Sequence, residues 1–365
     1  MLRYTIRRLL YSIPILFGVL LITYSLFFGV TPPEIIARRN LSTRDPKPAQ
    51  IEQWLADHGY GEPKTEEMEK DAFGRFLLSA GIKPKVKSVN PAEPPNPAEP
   101  ATAPPAPDFR PSAAARLMQL KRNTVDVMLF QFGKSDSTKE DIWERLKKGA
   151  VPSFLIQAII FGTGLFTALM LAVLVAYFRG TYIDSLATIV CVLMMSVVYM
   201  VYIIGLQYGM GRVAQYGPVW GFDPENGIGK FLLIPVVIGV IAGVGAEIRL
   251  YRTFLLDETG QDYVRTARAK GVPEGRILLG HVLKNALIPV ITQTVSAIPV
   301  LILGGLLLEN FFGIPGLGSY LNDAINSQDF AVVRAMVFLG ALLTIVGQIM
   351  TDLLYAVVDP RIRLE

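Results

Sequence analysis

Residues 263–289 read YVRTARAKGVPEGRILLGHVLKNALIP, from Tyr263 to Pro289. The stretch is basic and amphipathic, it is punctuated by Gly271, Pro273 and Gly275, and it lies between two long apolar segments. Gly and Pro at this spacing break a helical pattern into two short helices around a turn. A charged helix–turn–helix between two membrane spans avoids the cost of burying charge in lipid only by staying outside the hydrocarbon. The small residues Ala267, Ala269 and Gly271 permit close approach of another surface, and the acids Asp257, Glu258 and Asp262 interleave with the bases. That mixture favours a protein-docking surface over a basic patch held by anionic lipid, which would need no folded shape.

Composition agrees with a membrane protein. Apolar residues make up 51% of the 365 and charged residues 18%, against a soluble average of about 25% charged. The net charge of +4 is no nucleic-acid signature. The single cysteine, Cys191, forbids an intramolecular disulfide. A bilayer core of about 30 Å needs about 20 apolar residues in a helix, and six stretches meet or approach this: Leu9–Val30, Val151–Phe178, Ile183–Leu206, Phe231–Ile248, Leu287–Leu308 and Val332–Val358. Glu247 stands near the end of the fourth, and Arg334 and Asp352 near the two ends of the sixth, where long side chains can reach headgroups. Arg3, Arg7 and Arg8, the bases of 251–285, and Arg361 and Arg363 all fall on one side of a six-span arrangement. The positive-inside rule makes that side cytoplasmic and places both termini there. The first stretch is expected to be a retained anchor, since its apolar core exceeds an h-region and no A-x-A-like site follows.

The expected organisation is therefore an anchor over 1–30, an external region over 31–150, and a core of five spans over 151–365. Within the external region KPKVKSVNPAEPPNPAEPATAPPAPDFRP, Lys83–Pro111, has too few apolar groups to fold and reads as a disordered or polyproline II spacer. Ile51, Trp54 and Leu55 fall at helical spacing, Ser137 with Glu140 matches a capping box, and Pro152 suits the first turn of the second span. His58 reads as a solvated loop residue and His281 as a helix-surface residue of the docking loop.

Enzyme signals are mostly absent from the sequence. No G-x-x-x-x-G-K-[ST], C-x-x-C or H-E-x-x-H occurs, so ATP binding through a P-loop, a zinc site and a Ser/His/Asp site are not expected. No catalytic residue, cofactor or metal is assigned. A polar cluster on the fifth span, Thr292, Gln293 and Ser296 with Thr294, can line a pathway or hydrogen-bond between helices. Gly239 and Gly243 read as a close helix-packing face. FGIPGLG, Phe312–Gly318, reads as turn chemistry or, through Phe312, Pro315 and Gly316, as an external gate.

Three stretches resemble the permeases of binding-protein-dependent ABC importers for oligopeptides, dipeptides and nickel. YVRTARAKGVPEGRILLGHVLKNALIPVI is similar to that branch's cytoplasmic EAA loop, with Arg265, Thr266 and Ala267 where the general pattern has Glu-Ala-Ala. LLYAVVDPRIRLE from Leu353 resembles the branch's C-terminus, and LLLENFFGIPGLGSYLNDAI from Leu306 its external loop before the last span. MLRYTIRRLLYSIPILFGVLL is typical of the first of the two paired permeases. Two departures stand out: FGVTPPE replaces the family's Leu-Pro-Gly-Asp-Pro-like turn, and the external region is longer. The resemblance implies an all-α polytopic inner-membrane protein with six transmembrane helices of the type I importer permease fold and a large external insertion between the first two. It implies as partners a second permease (a heterodimer), two cytoplasmic ABC ATPases, an extracytoplasmic solute-binding protein and the lipid bilayer, with no nucleic acid. Coupling to the ATPases would run through 263–285, with Tyr263, Arg265, Thr266, Ala267, Arg268, Ala269 and Gly271 at the contact. Peptides are the first substrate class implied, with nickel or another small solute open. The competing readings are a stand-alone channel or ion-coupled secondary transporter, and a membrane-anchored assembly protein that works through 31–150.

Overall fold

The computed structural model describes residues 2–30, 33–41, 46–58, 60–84, 112–213 and 228–358. The spacer expected at 83–111 lies outside them from residue 85 onward, as do Arg361 and Arg363. Among the described residues the chain is helical, apart from turns and an antiparallel bridge between Lys134 and Asp141. Among the described residues four helices are long and apolar enough to cross a membrane: Ile6–Phe27 within α1 (Leu2–Val30), α7 (Ile142–Tyr177), Phe231–Thr259 within α10 (Ile228–Thr259), and Phe330–Leu353 within the last helix. Two bent helix pairs raise the number to six if each pair makes one span.

The chain forms two compact bodies. One comprises Ile13–Ile142 and Ala324–Phe338, the other Met1–Ser12, Trp143–Asp323 and Leu339–Glu365. In the first, α2 (Pro33–Asn40) and α3 (Pro48–Asp57) enclose Ile36, Ala37, Ile51, Trp54, Leu55 and Tyr60 together with Phe330. The helical spacing of Ile51, Trp54 and Leu55 thus becomes a buried face. His58 is not a free loop residue: it ends α3, its Nδ1 lies 2.8 Å from the Trp54 carbonyl, and its ring stacks on Trp54 at 4.0 Å. The short helices α4 (Thr65–Lys70) and α5 (Ala72–Ser79) pack through Met68 and Leu77 on Ala114 of α6 (Ala113–Met128). Asp71 caps α5 by accepting the Gly74 N–H, and Ser112 caps α6 by accepting that of Ala115. Burial alone would raise the Asp71 carboxyl, but the Lys121 ammonium and the Gly74 N–H outweigh it and leave it lowered.

The same body holds a buried polar network. Tyr60 donates to Asp136 at 2.7 Å, and Asp136 also accepts the Ala331 N–H. Burial, with Asp329 nearby, pushes the Asp136 carboxyl up. Asp329 accepts the hydroxyls of Ser135 and Ser137 and the Ser137 N–H, and it caps the helix beginning at Phe330 through the Val332 N–H. Ser137 is therefore spent on Asp329, and no capping box with Glu140 forms, since α7 begins five residues later at Ile142. Arg334 does not reach toward headgroups: it is buried, and its guanidinium donates to Asn123 and to the Phe132 carbonyl.

In the second body α7 runs unbroken through Pro152, which sits in its interior and not in a first turn. The third apolar stretch is not one helix. α8 (Tyr182–Ser196) and α9 (Tyr199–Tyr208) meet at 96° where Val197 and Val198 turn extended. Both are β-branched and at home in that conformation. The Tyr202 hydroxyl donates to the Met194 carbonyl at 2.7 Å, which also accepts the Val197 N–H. α10 (Ile228–Thr259) continues well beyond Ile248, so Glu247 is inside a helix and not at its end. Asp184 receives a two-pronged bond from Arg252, at 2.8 Å to each oxygen, plus the Gly180 N–H. The fifth apolar stretch is also divided, into α13 (Leu283–Ser296), α14 (Ile298–Leu303) and α15 (Leu306–Phe312), which follow α11 (Asp262–Ala269) and α12 (Glu274–Ile277). α16 (Leu317–Asn326) turns back at 69°, and α17 (Phe330–Val358) closes the chain. Asp352 pairs with Arg8 at 2.9 Å.

Candidate functional site

The turn between α11 and α12 is built from local sequence. After Ala269 the Val272 N–H bonds back to the Ala267 carbonyl and the Gly271 N–H to that of Arg268, the double return of a Schellman C-cap. That cap requires a left-handed residue, and Gly271 takes it at φ 75°. A Cβ built on Gly271 would meet no heavy atom within 4 Å, so the backbone conformation and not crowding calls for glycine here. Arg268 crosses the turn to Glu274, with contacts of 2.6 and 3.2 Å. That bond holds the guanidinium firmly charged, its pKa raised.

Val264 is the anchor. It is fully buried in a cluster with Ile277, Leu278, Val282, Tyr251 and Leu255, so the turn is fixed to α10 and α13 by an apolar face. Tyr263 and Ala267 pack partly against the same cluster. The Tyr263 hydroxyl donates to Glu258 at 2.6 Å, and burial together with that carboxylate raises the phenol. The opposite face is open: Arg265, Thr266, Arg268, Ala269 and Gly271 are exposed. Thr266 spends its hydroxyl on the Asp262 carbonyl, while Arg265 lies 3.5 Å from Asp262 on the surface. Of the seven residues singled out, five thus share one exposed face and two turn inward. Past the turn, Leu278–Val282 winds as a π-helix that presents Leu279, Gly280 and His281 outward. Leu279 is 60% exposed. It is not among the residues singled out in the sequence, where it stands in an apolar run between Leu278 and Gly280.

The other expected sites fare differently. On α13 the hydroxyls of Thr292 and Thr294 bond to their own helix, to Ile288 and Val290. Gln293 is exposed, and the Ser296 side chain lies outside the described ones. Around FGIPGLG the structure is a packed knot. Phe312 is buried with Ile156, Ile203 and Ile238, and Gly316 is buried too, while Pro315 is exposed. At its centre is Glu309, 1% exposed, which the sequence reading did not single out. Its Oε1 accepts the Gly305 N–H at 3.1 Å, and its Oε2 those of Gly318 at 2.7 Å and Ser319 at 3.2 Å. Ser153 on α7 also bonds the carboxylate and accepts the Leu317 N–H at 2.7 Å. The pair Gly239 and Gly243 divides as well: a Cβ at Gly239 would press on Ile160 at 2.8 Å, whereas one at Gly243 would meet nothing within 4 Å.

Residues 150–364 match the family described as binding-protein-dependent transport system inner membrane component. The chain belongs to that family. With its apolar helices, membership makes it a multi-pass inner-membrane protein. It is 39% identical over 147 residues to the dipeptide transport system permease protein DppB of Escherichia coli, an alignment covering 40% of this chain and 43% of that protein. It is 44% identical over 131 residues to the oligopeptide transport system permease protein AppB of Bacillus subtilis, covering 36% and 42%. A putative peptide transport system permease protein of Brucella abortus is 28% identical over 256 residues, covering 68% and 81%. The matched region thus spans less than half the length of DppB and AppB.

Proposed function

We propose that this chain is the membrane permease of an ATP-driven importer, forms half of the pathway for peptides, and docks cytoplasmic ATPases through the 263–285 surface. Family membership supports the transport role, and the relatives' names support peptides as the solute. The observation that carries the docking role is the turn itself. A capped, ion-paired turn anchored by Val264 presents a rigid exposed face of Arg265, Thr266, Ala269 and Leu279. A lipid-binding linker needs no such anchor, because counter-charge alone suffices for it.

We read the topology as six spans, each bent pair counting as one, with both termini and the docking turn on the cytoplasmic side and residues 31–150 outside. The bases around the turn favour that orientation, and the Arg8–Asp352 pair, which joins the start of α1 to the end of α17, favours an even number of crossings. The full set of partners would be a second permease, two ATPases and an external solute-binding protein. The chemistry of ATP hydrolysis would belong to the ATPases, and this chain would transmit their closure as rigid movement of α10 and α13.

Purification of the chain from its own membranes, with identification of what comes with it, tests the assignment. A P-loop ATPase and a second permease should co-purify in fixed proportion. A chain that comes away alone and still moves solute without nucleotide would be a channel or carrier, and the assignment would fall.

A further inference from the structure

One carboxylate oxygen of the second body is buried without a hydrogen bond among the described residues. Glu247, on the inner face of α10, has an oxygen fully shielded from solvent with no hydrogen bond to it. It lines a cavity of about 110 Å³ between α7, α10 and α14, many times the roughly 10–15 Å³ that one water needs. Gln157 is the other polar group in the wall, and no lysine, arginine or histidine lines it. Two wall positions, Gly164 and Gly243, leave space because they are glycine. A Cβ at Gly243 would meet nothing, and one at Gly164 would only touch the Glu247 carboxylate at 3.9 Å. Glu247 is half-buried, and an oxygen shut from water among apolar helices without a donor is costly. Neighbouring polar groups behave otherwise: Asp184 is held by Arg252 and Glu309 by three backbone N–H groups and Ser153. Glu247 is left with acceptor capacity and room beside it.

We propose that this cavity is a subsite for the cationic amine end of the transported solute, with Glu247 as its counter-ion and the Gln157 carbonyl as a second acceptor. The inference rests on the reading of the chain as a solute permease, and it narrows the substrate to compounds with a free ammonium group. An ammonium offers three donors and no acceptor, which suits a wall of two acceptors and no donor cation. The glycine surfaces admit the carbon that bears the amine while excluding a bulky flank.

The test uses membrane vesicles holding the assembled importer and an apolar carbodiimide, which modifies carboxyl groups in apolar surroundings. The extent of modification at Glu247 is read by mass spectrometry, with Glu247→Gln to verify the assignment. Alanyl-alanine amide at ten times its dissociation constant should slow modification by about tenfold by simple occupancy. Its N-acetyl derivative, which lacks the charge, should leave the rate unchanged. Gly243→Leu, which fills the space, should abolish protection while the chain stays in the membrane. Equal protection by the two amides, no protection by either, or a Glu247 that never reacts would each overturn the subsite. Peptide uptake by the same vesicles is followed in parallel. Absent uptake with selective protection intact would sink the permease reading alone, whereas normal uptake without selective protection would sink the subsite alone.

Discussion

Two glycine- and proline-rich turns of the same body, 269–274 and 304–319, carry the same kind of sequence signal and use it in opposite ways. At the first, Gly271 is left-handed and stands in open space. At the second, Gly304 is also left-handed, φ 78°, but a Cβ there or at Gly316 would collide with the Glu309 carboxylate and Ser153, and one at Gly318 would lie 2.7 Å from the Leu306 backbone. The charges divide likewise. Arg268 and Glu274 stay in water, with side chains 45% and 58% exposed, while Glu309 is sealed among backbone donors. One turn is thus a surface whose shape is set by its own few residues and which remains free to meet something else. The other is a knot that tightens α7, α15 and α16 onto one another. Glycine marks a required backbone angle in the first and a required absence of volume in the second.

The largest expected effect of substitution is therefore in the knot. Glu309→Ala would strand one buried and two half-buried N–H groups, a buried one costing about 1–3 kcal/mol, so the loss should reach several kcal/mol. The chain should fall to low levels in the membrane, and what remains in detergent should unfold at a markedly lower temperature. Glu309→Gln, which keeps one acceptor oxygen, should lie between. A Glu309→Ala chain as abundant and as heat-resistant as the parent would show that the knot does not hold the helices, and the contrast would collapse.

A middle-sized effect is expected at Gly271, and its pattern sharpens the comparison more than its size. Left-handed geometry costs a residue with a Cβ roughly 1–2 kcal/mol, with Asn the most tolerant and β-branched residues the least. Gly271→Asn, Gly271→Ala and Gly271→Val should lose ATPase co-purification and uptake in that rising order, with the chain still in the membrane. At Gly318 the ranking should vanish, because alanine alone already meets the Leu306 backbone. Gly271→Asp, which adds charge to the docking face, should weaken coupling without loss of the chain from the membrane. If it transports normally, the role assigned to this face is wrong.

The first turn was legible in the sequence because its causes are local. Cap, glycine, proline and alternating charge all lie within a dozen positions, and even the positive φ of Gly271 follows from them. The apolar stretches were legible for the same reason. The knot was not, since Glu309 is satisfied by backbone N–H groups that have no letter in the sequence and by Ser153, which is far away in the chain. Distance also hid the pairs of Asp136 with Tyr60, Arg334 with Asn123 and Asp352 with Arg8, so Arg334 was read as reaching outward when it is buried. The break at Val197–Val198 gave no warning, because neither residue is a glycine or a proline. Glu247 was visible as a letter but not as an orphan, which depends on what its neighbours on α7 and α14 lack.

The smallest effect concerns the ion pair that spans the docking turn. Exposed pairs of this kind contribute about 0.2–1 kcal/mol and are screened by salt. Arg268→Ala should thus leave membrane levels and the unfolding temperature nearly unchanged, in contrast to Glu309→Ala. Its consequence should fall on coupling, since Arg268 both braces the turn and stands on the exposed face. Glu274→Ala removes the brace but not the arginine, so the two variants separate the roles. A loss of ATPase co-purification with Arg268→Ala alone means that the guanidinium is itself a contact. Equal losses with both mean that the rigidity of the turn is what the ATPase needs. Restoration of Arg268→Ala by low salt would point to long-range charge rather than to either. A fall in stability with Arg268→Ala as large as with Glu309→Ala would erase the distinction between a free surface and a buried knot.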